Sequence, residues 1–300
     1  MQLAATHSGT DENAKGTLYV VATPIGNLRD ITLRALDVLK AADVIAAEDT
    51  RVTARLLHHH GIATRMTPLH EHNETRAIRP LLARLEKGDS VALVSDAGTP
   101  GISDAGARLV DEARRAGFPV SPVPGASAVA AAVSVAGLPL RHFLFYGFLP
   151  ARAAERRAEL ARLADMAFPV VFFEAPHRIT ECAADLATAW GEWRRVVFAR
   201  ELTKLFEEIR ACTLGEAAGW LKAEEDRRRG EFVMIVEGAA QGSEHASDFE
   251  HTLEVLLEEL PLKQAVALTV RLTGAHRNRV YALALRRRAG MTSSEPGTAS

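Results

Sequence analysis

The sequence is poor in cysteine and contains no long apolar run. Its two cysteines, Cys182 and Cys212, can neither cross-link a chain of 300 residues nor form a four-ligand zinc site, so they indicate a reducing, cytosolic compartment. Residues 1–14 carry no apolar run, and we expect no secretory signal there. The longest apolar stretch, residues 126–138, is too short to cross a bilayer. These absences predict a cytoplasmic globular protein that does not enter a membrane.

The whole chain has no large excess of positive or negative charge, but its last segment has an excess of positive charge. The chain has 36 Lys and Arg against 38 Asp and Glu, so its net charge of −2 indicates no class of partner. Residues 261–290, however, contain seven basic residues and no acidic one, which leaves 29 basic and 38 acidic residues, or −9, elsewhere. Two predicted helices, 263–272 and 277–288, carry this charge and favour nucleic-acid binding over a solubilising tail, because their apolar positions indicate a packed core. The candidate RNA contacts are Arg271, Arg277, Arg279, Arg286, Arg287 and Arg288.

Short apolar runs alternate with amphipathic helical patterns along most of the chain. Strands are predicted at 17–23, 44–47, 90–95 and 118–123, and a second series at 143–146, 169–173, 196–199, 206–211 and 232–236. The alternation predicts two α/β domains, 16–137 and 138–240, with parallel sheets covered on both faces. A basic helical module, 247–290, follows, and residues 1–15 and 291–300 are predicted to be disordered tails.

A glycine-rich segment, residues 95–106 (SDAGTPGISDAG), follows a predicted strand and opens a helix. It does not read G-x-G-x-x-G, and no lysine follows its last glycine, so neither a dinucleotide fingerprint nor a phosphate-binding P-loop is present. From these residues alone, a tight structural turn and a loop that brings backbone close to a flat ligand remain equal alternatives.

Eight ordered motifs identify a family. They are TPIGNLRDIT (23–32), AAEDTR (46–51), HEHNE (70–74), VSDAGTPGISDAG (94–106), PVPGASA (122–128), FEAPHR (173–178), ARELTKLFEE (199–208) and GEFVMIVEG (230–238). Together they resemble the tetrapyrrole-methylase superfamily of S-adenosylmethionine-dependent methyltransferases. The closest resemblance is to members that methylate a ribose 2′-hydroxyl, that of a decoding-centre cytidine of 16S ribosomal RNA.

The resemblance implies a methyl donor, S-adenosylmethionine, in the cleft between two α/β domains, no metal, and a homodimer that acts on 16S ribosomal RNA in the small subunit. Two rivals stay open: a methyltransferase of the same fold acting on a tetrapyrrole of the corrinoid pathway, and a non-catalytic RNA-binding relative. By position in the motifs, the implied donor contacts are Pro24, Ala97, Gly98, Thr99, Ile102, Ser127 and Ala128, with Glu174 and Leu202 from the second domain.

Charged residues that follow predicted strands are the candidates for the proton acceptor. Glu48 and Asp49 follow one strand and Glu201 and Lys204 another, and the sequence does not choose among them. The alternative for the first pair is structural, with Asp49 or Thr50 capping the next helix. Arg178 is a candidate for an RNA phosphate. The histidine runs 58–60 and 70–72 offer too few convergent ligands for a metal site.

Overall fold

The structure is a computed structural model that describes residues 15–239, 246–273, 275 and 277–291. Apart from Lys15 and Met291, the predicted tails lie outside these residues. Lys15 donates to the carbonyl of Ala116 over 3.3 Å, and Met291 ends the last helix. Within the described part of the chain, no helix has the length and apolar character needed to cross a membrane.

Five parallel strands form the first sheet in the order β3-β2-β4-β1-β5. The strands are β1 (Leu18–Val21), β2 (Val44–Ala47), β3 (Met66–Pro68), β4 (Val91–Val94) and β5 (Val120–Val123). The helices that follow them are α1 (Leu33–Ala41), α2 (Thr50–His59), α3 (Glu74–Glu86), α4 (Ala107–Arg115) and α5 (Ala128–Val135). The four strands predicted in this region are present; β3 was missed.

Helices cover the first sheet on both faces. Leu39 of α1 and Leu57 of α2 pack on one face with Ile45, whereas Leu81 of α3 and Leu109 of α4 pack on the other. The chain therefore leaves the carboxyl ends of the neighbouring strands β1 and β4 toward opposite faces. Such a reversal opens a crevice at the sheet edge where ligands of open α/β sheets bind.

The second sheet is mixed, which corrects the prediction that it is parallel. Its strands are β6 (Leu144–Phe148), β7 (Val170–Glu174), β8 (Arg195–Arg200), β9 (Glu208–Thr213) and β10 (Phe232–Val236), in the order β6-β7-β10-β8-β9. Only β6 and β7 are parallel; β10 runs antiparallel to β7 and β8, and β9 antiparallel to β8. For β9 the physical reason is the seven-residue connection 201–207 from β8, which is too short for a crossover helix and makes a hairpin.

Helix α5 joins the two sheets. It follows β5 of the first sheet, but Val129 and Ala132 pack against Val197 and Ile235 of the second. The opposite face of the second sheet is covered by α6 (Ala153–Leu163), α7 (Ile179–Trp190) and α8 (Leu214–Ala223). The second sheet is thus buried on both faces, one of them against an element of the first half of the chain.

Three helices form a separate core at the end of the chain: α9 (Ala246–Glu259), α10 (Leu262–Thr273) and α11 (Arg277–Met291). Phe249, Leu253, Val266 and Val280 are buried among them. Helix α9 carries five acidic residues, and its Glu254 pairs with Arg287 over 2.6 Å. The positive charge of residues 261–290 is therefore partly neutralised by an acidic residue of the neighbouring helix.

Candidate active site

A cavity of about 360 Å³ lies between the two sheets. The glycine-rich segment and the start of α5 form one wall, and the ends of β6, β7, β8 and β10 form the other. Eight of the nine sequence-predicted donor contacts line it: Ala97, Gly98, Thr99, Ile102, Ser127, Ala128, Glu174 and Leu202. The ninth, Pro24, lines a neighbouring cavity. The structure therefore brings together residues that are far apart in sequence.

Gly98 holds the glycine-rich segment against the end of the first strand. Its N–H donates to the Thr23 carbonyl over 3.1 Å, and the Thr23 N–H donates to the Gly98 carbonyl over 2.8 Å. Gly98 has φ +78°, and a Cβ atom there would lie 3.3 Å from Cγ2 of Ile25. A side chain at this position is disfavoured both by backbone conformation and by space.

The two sheets also meet closely through Gly147, which has φ +85° next to a register shift in β6. A Cβ atom at Gly147 would lie 2.8 Å from Oγ of Ser103 in the glycine-rich segment. Ser103 itself has φ +67°, which is unusual for a residue with a side chain. The glycine-rich segment is thus hydrogen-bonded to Thr23 on one side and lies close to Gly147 of the second sheet on the other.

Charge in this cavity is one-sided. Asp104, Glu174 and Glu231 are among the residues that line it, and no lysine or arginine is. Burial raises the pKa of Asp104 to about 6; the charges of Glu48 and Asp96 add to this, and a hydrogen bond with Ser95 opposes it. Two of these carboxylates have basic partners outside the lining, Glu174 with Arg178 and Glu231 with Lys204. A lining that contains carboxylates and no lysine or arginine suits a positively charged ligand.

A second cavity, of about 470 Å³, lies beside the first at the crevice between β1 and β4. The two share Ile25, Ala97 and Glu231 as lining residues. Unlike the first, the second includes two cations, Arg55 of α2 and Lys204. Two neighbouring cavities of different charge can hold two different ligands in contact.

Carboxylates cluster where β2 and β4 end. The backbone N–H of Asp96 donates to Oε2 of Glu48 over 3.4 Å, and the N–H of Asp49 donates to Oδ1 of Asp96 over 2.9 Å. Burial, with the charges of Asp96 and Glu71, raises the pKa of Glu48. Asp49 instead accepts the N–H of Arg51 at the start of α2 and pairs with its guanidinium over 2.6 Å, which holds the pKa of Asp49 well below its usual range. The helix-capping alternative therefore holds for Asp49.

Glu201 and Lys204 pair with each other at the rim of the second cavity. Nζ of Lys204 donates to Glu201 over 2.8 Å and to Glu231 over 2.9 Å. These two carboxylates raise the pKa of Lys204 against the effect of burial, and the Lys204 ammonium lowers that of Glu201. Neither group is suited to accept a proton at neutral pH, because Lys204 stays protonated and Glu201 stays weakly basic.

The Arg178 side chain is only 17% exposed and contacts groups of the protein itself, and its assignment as an RNA contact stays a prediction. Its Nη2 donates to the carbonyls of Leu149 and Pro150 over 2.7 and 3.0 Å, and its Nε lies 3.2 Å from Oε1 of the buried Glu174. The guanidinium is thus used to hold Glu174 at the end of β7. Of the other predicted RNA contacts, Arg271, Arg277, Arg286 and Arg287 are exposed, and the side chains of Arg279 and Arg288 lie outside the described residues.

No group of three or more histidine, cysteine, aspartate or glutamate side chains with metal-site geometry occurs among the described residues. The rings of His70 and His72 are 6.0 Å apart and those of His59 and His60 4.7 Å apart, in edge-on pairs.

Sequence reasoning missed several lining residues, among them Ile25, Asp104, Phe148, Glu231 and Arg55. Asp104 lay within a quoted motif, and Glu231 in another, so their carboxylates were an available signal. Arg55 and Phe148 carried none, because only the packing of α2 and the bulge of β6 bring them to the cavities.

Comparison with known proteins agrees with the fold and with the motifs. Residues 17–218 match the family model "Tetrapyrrole (Corrin/Porphyrin) Methylases", and residues 243–288 match "RsmI C-terminal HTH domain". The chain is 48% identical over 280 residues to "Ribosomal RNA small subunit methyltransferase I" of Escherichia coli O157:H7, covering 93% of this chain and 98% of that protein. The protein of the same name from Pseudomonas aeruginosa is 48% identical over 275 residues, covering 91% and 98%.

Among solved structures, uroporphyrin-III C-methyltransferase from Thermus thermophilus, complexed with S-adenyl homocysteine, has the same fold. The TM-score is 0.52 at 22% identity, and the match covers 74% of this chain and 97% of that one. The predicted fold class is therefore confirmed. On its family match and its nearly full-length relatives, the chain belongs to the tetrapyrrole (corrin/porphyrin) methylase family.

Proposed function

We propose that the protein transfers a methyl group from S-adenosylmethionine to a ribose 2′-hydroxyl of 16S ribosomal RNA, at a decoding-centre cytidine. The observation that carries this proposal is the cavity between the sheets. Its acidic lining, with no lysine or arginine, fits a donor that bears a sulfonium and an ammonium group. The relatives that match over nearly their whole length are named ribosomal RNA methyltransferases, which supports RNA rather than a tetrapyrrole as the acceptor.

The donor would be held by the eight lining residues named above, with Pro24 at the boundary of the two cavities. When bound, it supplies a methyl group already activated by a positively charged sulfur. Gly98 lets the backbone approach the ligand, and Thr99 is fixed by donating to the Ala126 carbonyl over 3.2 Å. Ser127 caps α5 by accepting the N–H of Ala130. These residues orient the ligand, and such positioning lowers the barrier of an in-line transfer.

Glu48 is the best of the four predicted proton acceptors. The other three are engaged elsewhere: Asp49 caps α2, and Glu201 and Lys204 neutralise each other. Glu48 lies beside Asp96, which lines the second cavity, and its raised pKa makes it a better base near neutral pH. In this mechanism the carboxylate of Glu48 receives the single proton that the attacking hydroxyl loses, and Asp96 lies between Glu48 and the cavity.

Three further parts of the proposal concern partners and location. Exposed arginines of α10 and α11 would contact RNA phosphates, because guanidinium groups on a packed helical module suit that role. The protein would act in the cytoplasm as a homodimer. Light scattering across the micromolar range measures the oligomeric state, and a strictly monomeric mass would contradict the homodimer.

The deciding experiment incubates the protein with labelled methyl donor and small ribosomal subunits from a strain that lacks it. The labelled nucleoside is then identified after digestion. We expect label on the 2′-oxygen of a single cytidine of 16S ribosomal RNA. Label on a base, or no label in RNA, would overturn the proposal; label on a tetrapyrrole added in a parallel reaction would favour the corrinoid-pathway rival.

A further inference from the structure

The second cavity has the position expected of an acceptor site. It opens at the carboxyl ends of β1 and β4, and it shares Ile25, Ala97 and Glu231 with the cavity assigned to the donor. A group held in one is therefore in reach of a group held in the other. Its volume of about 470 Å³ lies in the range of pockets that bind small molecules or single residues of a polymer.

Its lining differs in charge from that of the donor cavity. Arg55 and Lys204 contribute two cations, and Asp96 and Glu231 two carboxylates. Lys204 is paired with both Glu201 and Glu231. Arg55, by contrast, is exposed and forms no ion pair or hydrogen bond with another described residue. An unpaired guanidinium at the mouth of a cavity is suited to a phosphate group, which it binds through two parallel hydrogen bonds.

Helix α2 fixes Arg55 in this place. Thr53, Leu56 and Leu57 are buried under the helix, and the first two of them line the cavity. Val52 and Arg55 are exposed and also line it. Asp49 caps the helix, so its first turn is well anchored. The guanidinium is therefore carried by a packed helix, and Asp96 lines the same cavity.

From this arrangement we infer that the second cavity binds the acceptor nucleotide of the RNA, with Arg55 holding its phosphate and Asp96 facing its ribose. The inference rests on the proposed function and adds to it the place of the substrate. The nucleotide must leave its helix or loop stack to enter, because a cavity between loops and α2 cannot admit a duplex. The hydroxyl then meets the donor at the shared wall of Ile25 and Ala97.

The test uses the full chain, small ribosomal subunits lacking the modification, and two kinds of variant. Arg55→Ala removes the proposed phosphate contact, and Leu28→Trp fills the cavity without changing charge. The matched controls are Arg79→Ala, an exposed arginine of α3 that lines neither cavity, and Val135→Trp, an exposed valine at the end of α5. Methyl transfer gives kcat and KM for subunits, and calorimetry with S-adenosylhomocysteine gives the affinity of the donor cavity.

We expect Arg55→Ala to raise KM for subunits about tenfold or more, as loss of one charged hydrogen bond does. Leu28→Trp should also raise KM for subunits, because the indole occupies the space of the nucleotide. Affinity for S-adenosylhomocysteine should be unchanged in both variants. Arg55→Ala should also flatten the log–log salt dependence of subunit binding by about one unit, and Arg55→Lys should restore part of it. Both controls should behave as wild type.

Wild-type KM and salt dependence in Arg55→Ala and Leu28→Trp would overturn the inference while leaving the proposed function intact. Absence of RNA methylation by the wild-type protein would overturn both. A loss of S-adenosylhomocysteine affinity in either cavity variant would place the donor, not the nucleotide, in the second cavity.

Discussion

We expect the buried carboxyl group of Asp104, in the active site, to lower the free energy of unfolding at neutral pH. Its carboxyl lines the donor cavity, and burial raises its pKa from 3.8 to about 6. In this pH window the folded state binds more protons than the unfolded state, so the free energy of unfolding falls as pH rises from about 4 to about 7. A shift of this size corresponds to ~3 kcal/mol at full burial, which solvent screening of a partly exposed side chain reduces to about 1 kcal/mol.

Asp104→Asn removes this charge and keeps the shape of the side chain. We expect the variant to gain about 1 kcal/mol over wild type at pH 8 and to lose that advantage at pH 4. The affinity of the wild-type protein for S-adenosylmethionine should rise as pH increases through about 6, because the ionised carboxylate attracts the sulfonium. The affinity of the variant should not change over this pH range.

Urea denaturation of both proteins at several pH values, with calorimetry of donor binding at the same values, measures the two trends. Glu112→Gln, an acidic residue of α4 that lines neither cavity, is the matched control. A stability difference between Asp104→Asn and wild type that does not change between pH 4 and pH 8 would refute the reasoning.

Three further outcomes are expected. Gly98→Val should abolish donor binding in calorimetry. In the control Gly61→Val, φ is +63° and no atom lies within 4 Å of the added Cβ, so only the backbone conformation should lower the free energy of unfolding, by about 1–2 kcal/mol. Equal donor affinities of the two variants would mean that Gly98 does not contact the ligand. Arg156→Ala should lower the free energy of unfolding, measured in urea, by about 3–5 kcal/mol, because its 2%-exposed side chain pairs with Asp185 over 2.7 Å. The control Arg157→Ala, at an exposed position, should lower it by less than about 0.5 kcal/mol. Equal losses of stability in the two variants would refute this prediction. Replacing Arg277 and Arg286 together by Glu should weaken binding to small subunits and flatten its salt dependence, with donor affinity unchanged. Both positions are exposed, and the substitutions leave the ion pair of Arg287 with Glu254 intact. Wild-type affinity of the variant for small subunits would place RNA recognition elsewhere.

The first half of the fold follows from the sequence because each strand is an apolar run and each is followed by a helical pattern. Strand β3 escaped because it has only three residues, ends in Pro68 and is half-exposed. In the second half, the apolar runs predicted where the strands lie but not the direction in which each strand runs. Periodicity is the same for parallel and antiparallel strands, and only the short connection between β8 and β9 distinguished the two.

The donor cavity was more predictable than its neighbour. Its residues lie in loops directly after strands, where the motifs are, so eight of nine named positions line it. The second cavity depends on one face of α2 and on how closely residues 24–26 approach Lys204; a Cβ atom at Gly26 would lie 2.5 Å from the Lys204 side chain. Such contacts between separate segments leave no periodic signal in the chain.

Helix α5 has a consequence for how the enzyme works. Its first residue lines the donor cavity, and its apolar side packs on the second sheet, so this wall of the cleft is attached to the second sheet by a packed helix. A motion that separated α5 from the second sheet would expose Val129, Ala132, Val197 and Ile235 to water, at about 25 cal/mol for each Å² of apolar surface. The cleft is therefore preorganised: the cost of assembling it is met during folding, and little of the binding energy of the ligands is needed for closure.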